Sequence, residues 1–395
     1  MSTLEKEQGR VQTIDFLRGL AMIIMALDHV RDYFHAEAFV FDPLDLKATY
    51  PVLFFTRWIT HFCAPVFVFL AGTSAYLSAR NKPIKELSKF LFSRGLWLIF
   101  IELSICIFGW TFNPSFDVLI LGVIWAIGCS MIALSLLIHL PFKLLLGLGL
   151  AILFGHNLLD GIEVKSEGII QIIWAALHTG DFYTWHGHNI MVFYPVLPWI
   201  GIMALGYCFG QLYNYQVLAT KRKKVLIALG ISSVLLFVLL RLANVYGDPN
   251  LRDTSYDGIG ALMSFLNTSK YPPSLLYSLM TLGPAFLLLA FSEKWKLKPQ
   301  NGIVVIGRVP MFYYILHIYL IHLLALFAAW ASGYRWQDMV LSTWVNFNPA
   351  LKDYGFPLYM VYIIWIAVVL MLYPFCKRYN SYKSNNKQKW WLSYL

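Results

Sequence analysis

Residues 14–35 read IDFLRGLAMIIMALDHVRDYFH. The apolar centre is long enough to cross a bilayer, which takes roughly 20 residues, yet the stretch carries Asp15, Arg18, Asp28, His29, Arg31 and Asp32. An ionisable side chain at membrane depth costs about 2.5–3.5 kcal/mol or more unless it faces a partner or a watery cavity. A helix that keeps so many marks a functional element inside a bundle. Arg18 and His29 are 11 positions apart, which places them within about 20° on a helical wheel and about 16 Å apart along the axis. Met22 and Met25 lie between them on that face, Asp15 stands one turn before Arg18, and Asp32 nearly one turn after His29.

The rest of the chain agrees with a membrane protein. Of 395 residues 58% are hydrophobic and 13% charged, and the mean hydropathy is +0.61; such a surface is not dissolved by water. Apolar windows fall at residues 14–34, 53–79, 90–112, 117–138, 141–158, 190–213, 224–243, 273–292, 302–330 and 356–376. The expected fold is an all-α polytopic bundle of about ten transmembrane helices. An even count returns both termini to one side. With that side cytoplasmic, the inner segments hold 20 Lys and Arg, and the outer loops only Lys47, Lys165, Arg252, Lys270, Arg335 and Lys352. This asymmetry follows the positive-inside rule, so the net charge of +10 reports topology and headgroup contact, and no nucleic-acid partner is expected. The expected domain is a single one over 1–380, followed by a basic, aromatic cytoplasmic tail over 381–395. The polar start MSTLEKEQGR carries no cleavage signature. The five cysteines sit in apolar runs without metal-ligand spacing.

The outer loops at 35–52, 159–189, 244–272 and 331–355 are long, and loops carry function. The segment Gly168 to Thr179, GIIQIIWAALHT, is too short to span and is expected in the interface or re-entering. In the second window, FFTRWITHFCAPVFVFLAGTSA, Arg57 and His61 share a face one turn apart, Pro65 kinks the helix, and Gly72 to Ser74 admit a close neighbour. In the ninth, VPMFYYILHIYLIHLL, His317 and His322 point about 140° apart, and Tyr314 with His317 reads as bundle packing. The motif WHGHN, with Trp185, His186, His188 and Asn189, opens the sixth window as a polar rim to an outer cavity; two histidines without a third ligand do not make a metal site, and no metal is expected. The sequence holds no GxSxG, HExxH or phosphate-cradling loop.

Arg18 followed by ten residues and His29, with the flanking LRGLA, resembles the Arg-X10-His pattern of the transmembrane acyltransferase superfamily. TIDFLRGLAM and CAPVFVFLAGTS together resemble its heparan-α-glucosaminide N-acetyltransferase group, particularly bacterial members, more than acyltransferase family 3. The resemblance is clear over residues 10 to 80. It implies that Arg18 engages acyl-CoA and that His29 acts at the acyl-transfer centre. In the lysosomal member an Asn stands where this chain has His29 and a later histidine is used; its nearest counterpart here lies in DYFHAEAF, which makes His35 a rival.

The expected activity is transfer of an acyl group, most simply acetyl, from cytoplasmic acetyl-CoA to an extracytoplasmic glycan or amino sugar, in a bacterial inner (plasma) membrane. A homodimer is also compatible with the sequence. Histidine suits the proton transfer near neutral pH, Asp28 or Asp32 would orient it, and Arg18, Arg57 and His61 would hold the donor. Trp185, Tyr194 and Trp199 would stack on sugar or sit in the interfacial belt. The competing class is a secondary transporter or flippase that uses the same arginines and histidines as a proton or anion path.

Overall fold

The computed structural model describes residues 11–79, 82–164, 168–185, 187–214, 216–295, 297–386 and 388–393. The ten-residue polar start lies outside these, as does His186. Helix α1 (Gln12–Phe34) is uninterrupted over 23 residues, about 34 Å at 1.5 Å per residue. It stands at the centre, against α3 (Cys63–Ala79), α12 (Leu275–Ser292), α13 (Gly302–Arg308), α14 (Pro310–Ala331) and α15 (Leu358–Asn385). With neighbours all round, its charged face has protein or cavity opposite it and not lipid.

Close approach of backbones makes this possible. A Cβ at Gly19 would lie 1.9 Å from the Ile303 carbonyl oxygen, and one at Gly307 1.9 Å from that of Asp15. Only glycine fits on either side, so α1 and α13 cross in backbone contact, the small-residue packing of membrane helices. Gly72 and Gly206 do the same for α3 and α9 (Val196–Phe209).

Among the described residues, eight helices or continuous helical stretches are long and apolar enough to cross a membrane. Two of the ten expected windows fall elsewhere: on α1, set apart by its charges, and on α6 (Val123–Leu137), only 15 residues long. The window at 117–138 divides because Val118–Leu121 is a strand, β1, not the start of a helix. The window at 190–213 likewise begins in β3 (His188–Val192) before α9 starts. With β2 (Asp181–Trp185), these form a three-stranded sheet ordered β1-β3-β2, parallel between β1 and β3 and antiparallel between β2 and β3. Trp185 and His188 are thus paired at the end of a hairpin and do not open a span. The all-α reading holds for the bundle, and among the described residues the small sheet is added to it.

Breaks in the helices place side chains. Pro65 has no N–H to give to the carbonyl four residues back, and a 3-10 turn over Thr60–Phe62 separates α2 (Pro51–Ile59) from α3. The freed His61 carbonyl accepts the Tyr277 hydroxyl at 2.7 Å. Helix α4 (Ile84–Ile101) continues through a π turn, Glu102–Cys106, into α5 (Ile107–Thr111); π turns cluster at functional sites. Val309 and Pro310 break the window at 302–330 into α13 and α14.

Candidate active site

Two cavities flank α1. The first, about 560 Å³, is lined by Arg18 and Asp15 of α1, Ser74 of α3, Arg94 of α4, Arg308 of α13 and Lys383 near the end of α15. Arg18 donates to Asp15 Oδ1 at 3.2 Å, to the Gly307 carbonyl at 3.2 Å and to Ser74 Oγ at 2.8 Å. Arg308 reaches the other oxygen of Asp15 at 3.3 Å. The Gly19–Gly307 crossing produces this pairing, since each glycine adjoins one of the two arginines. Among the described residues this wall carries one carboxylate and four basic side chains, and a basic wall suits an anion.

The second cavity, about 620 Å³, lies at the other end of α1. His29 is on its wall, its ring edge-on to Trp110 at 4.6 Å between centroids and 5.2 Å from the ring of His317. Around it run three basic groups, Arg31, Arg57 and Lys270, and five carboxyls, Asp28, Asp32, Asp42, Glu102 and Asp181. Asp28 pairs with Arg57, with Arg31 at 3.1 Å and with Lys270 at 3.6 Å. Asp32 takes Arg31 at 2.5 Å. Glu102 is 1% exposed, with Oε2 lacking any hydrogen-bond partner; a Cβ at Gly122 would come within 2.3 Å of its other oxygen. Aromatic groups from the loops, including Phe182, Tyr194, Tyr271 and Trp344, complete the wall. Burial works against ionisation of Tyr271, but the charges of Lys270 and Arg57 hold its phenol below the ordinary value.

Met25, Phe67, Val123 and Tyr314 line both cavities, so the two spaces abut at mid-depth along the Arg18–His29 face. Of the expected residues, Arg18, Asp28, His29, Asp32 and Arg57 stand on cavity walls. Arg57 is on the His29 side, paired with Asp28, and not beside Arg18. Asp28 and Asp32 are engaged by cations, and neither makes a hydrogen bond to the His29 ring. His61 lines neither cavity; it is fully buried against Tyr277, with both ring nitrogens unpartnered, because the 3-10 turn rotates it off the Arg57 face. His35 also lies off both walls. It is 2% exposed, behind a backbone bridge to Phe356, and burial, then the charge of Arg31, pushes its pKa down to about 4.

Trp185 and His188 are exposed at the hairpin tip, and Asn189 bonds the Ser342 carbonyl at 3.2 Å. Only the base of that hairpin, Asp181, Phe182, Val192 and Phe193, reaches the cavity. Lys270, Glu102 and His317 join the site without having been singled out for it. Glu102 left a readable signal, a lone carboxylate inside the apolar run LIFIELSICIF; Lys270 left none beyond its place in an outer loop. His322, by contrast, has both ring nitrogens against backbone carbonyls of Gly109 and Met339, at 2.9 and 2.8 Å, and serves packing.

The profile of one family, described as heparan-alpha-glucosaminide N-acetyltransferase, catalytic, matches residues 10–242. The chain belongs to that family. The match runs from the start of α1 nearly to the end of α10 (Ala219–Ala243), and so contains Arg18, His29, Arg57 and Glu102, while Lys270 and His317 come from beyond it. No curated protein matches the chain. A heparan-alpha-glucosaminide N-acetyltransferase catalytic domain on membrane-spanning helices is a membrane acetyltransferase of that type.

Proposed function

We propose that the protein moves an acetyl group from acetyl-CoA, held in the Arg18 cavity, to the amine of a carbohydrate in the His29 cavity. The observation that carries this reading is the shared wall of Met25, Phe67, Val123 and Tyr314, with a cationic space on one side of it and an imidazole on the other. Guanidinium groups stay charged and bind phosphate through paired hydrogen bonds, so Arg18, Arg94 and Arg308 with Lys383 fit a nucleotide carrying several phosphates. The excess of carboxyls around His29, with the free oxygen of Glu102 among them, favours an amine over a neutral hydroxyl. By the charge asymmetry of the loops, the Arg18 end and both termini face the cytoplasm and the His29 end faces outward, across a plasma membrane.

His29 takes the proton of the attacking amine as the new N–C bond forms and the thioester C–S bond breaks, CoA leaving as thiolate. The cation cluster of Arg31, Arg57 and Lys270 holds Asp28 and Asp32 and keeps that end of α1 in place. His35 lines neither cavity, and the base is assigned to His29.

The test is labelled acetyl-CoA added to detergent-purified protein, with glucosamine as acceptor. Arg18→Ala is expected to weaken acetyl-CoA binding about 10- to 100-fold, the loss of a charged hydrogen bond. His29→Ala should keep binding and lose turnover about 10³-fold, and His35→Ala should keep both. Wild-type protein that binds no CoA would overturn the reading and point to the transport class instead.

A further inference from the structure

Of the carboxyls that line the His29 cavity, Asp28 and Asp32 are held by Arg31, Arg57 and Lys270. Asp42 and Asp181 sit exposed in the outer loops, each accepting from a nearby backbone N–H. Glu102 differs from all four. It is 1% exposed, opens the π turn between α4 and α5, and pairs with no basic side chain among the described residues. Its Oε2 has no hydrogen-bond partner, and the backbone of Gly122 packs so closely against Oε1 that a Cβ there would come within 2.3 Å. The titratable groups that face it are the Cys106 thiol on the same turn and the Tyr314 phenol of α14; neither brings a positive charge. A desolvated carboxylate in such surroundings takes up a cation or a proton. Tyr314 belongs to the wall shared with the Arg18 cavity, so Glu102 stands near the depth at which donor and acceptor would meet.

An aliphatic amine is an ammonium near neutral pH and has no lone pair with which to attack. On the way to an amide it loses two protons, and a neutral imidazole takes only one. We propose that Glu102 is a second catalytic residue, which binds the acceptor as its ammonium and takes the first proton. This rests on the reading of an amine acceptor with His29 as the base. The ammonium N–H bond breaks towards the Glu102 carboxylate, leaving a carboxylic acid and a free amine. The amine nitrogen then attacks the thioester carbonyl; its N–C bond forms, the C–S bond breaks, and His29 takes the second proton. Both protons return to water before the next acceptor binds. A hydroxyl acceptor brings no cation and would leave Glu102 unpaired, so the same carboxylate selects amines.

The test is the kcat/KM for glucosamine, with labelled acetyl-CoA, measured across pH for wild type, Glu102→Gln and His29→Ala. At about pH 7 Glu102→Gln should lower kcat/KM about 100-fold, the worth of one proton-transfer group, while binding acetyl-CoA as wild type does. By about pH 9 the amine is already free in water, and the loss should shrink to about tenfold or less. A merely structural role would not give that recovery: an equal loss at both pH values overturns the proposal, as does unchanged turnover at pH 7. Should the variant not fold, the wild-type profile decides. With the ammonium as the bound form, kcat/KM falls above about pH 8; a profile that rises and levels there overturns the proposal. Wild type that acetylates no glucosamine at any pH, or full turnover in His29→Ala, would instead overturn the reading beneath it.

Discussion

The two ends of α1 use charge in opposite ways. At the Arg18 end Asp15 is shared by Arg18 and Arg308, and among the described residues basic side chains outnumber carboxylates on the cavity wall. At the His29 end Asp28 and Asp32 are ringed by Arg31, Arg57 and Lys270, and carboxyls are in excess. One end gathers basic side chains around a cavity. The other spends its cations on internal pairing and leaves an imidazole facing the space. The same helix thus carries a binding end and a reacting end, and their difference lies in stoichiometry more than in residue type.

The largest expected effect comes from upsetting the paired end. Asp28→Asn would leave Arg57 and Lys270 without the carboxylate they share, while Arg31 keeps Asp32, a loss of about 3–5 kcal/mol by analogy with broken buried ion pairs, read as a large drop in thermal stability in detergent. Adding Lys270→Gln to that variant should recover part of it; stability equal to wild type in the single variant would show that the cluster is not holding α1. A middling effect is expected at Glu102. If its free oxygen recognises the acceptor, Glu102→Gln should raise KM for glucosamine about tenfold, the worth of one hydrogen bond, and leave the Kd of acetyl-CoA untouched. An equal change in both constants would assign Glu102 to general packing of the π turn.

The smallest effect is one of pH. His35 has a folded pKa of about 4 against an ordinary 6.5. A neutral, buried imidazole contributes stability that is fully present above about 6.5 and is lost as pH falls through about 4. Wild-type thermal stability should therefore fall over that range more steeply than that of His35→Gln, with turnover at neutral pH unchanged in the variant. Loss of turnover in His35→Gln at pH 7 would bring His35 back as a rival to His29 and weaken the contrast between the two ends.

Much of this was legible in one dimension. Charges at membrane depth in IDFLRGLAMIIMALDHVRDYFH and their 11-residue spacing placed Arg18 and His29 on one face, because an α-helix of regular pitch needs no neighbours to define its faces. The apolar windows located the bundle, since span length is set by bilayer thickness. Where a helix breaks, that logic stopped. His61 left the Arg57 face through the 3-10 turn before Pro65, and the residues from His188 became a strand because β1, far earlier in the chain, supplied a partner for β3. Asp15 beside Arg18 could be read from their spacing, but partners on other helices could not. Which cation meets Asp28, and whether Glu102, Lys270 and His317 converge on His29, depend on contacts between segments up to hundreds of residues apart. The sequence by itself determined the membrane bundle and the working face of its first helix, through local periodicity and the cost of charge in hydrocarbon. Only the tertiary structure decided which histidine opens to a cavity and what surrounds it, because that follows from how closely the helices pack, and the close crossings at Gly19–Gly307 and Gly72–Gly206 exist only once the chain has folded.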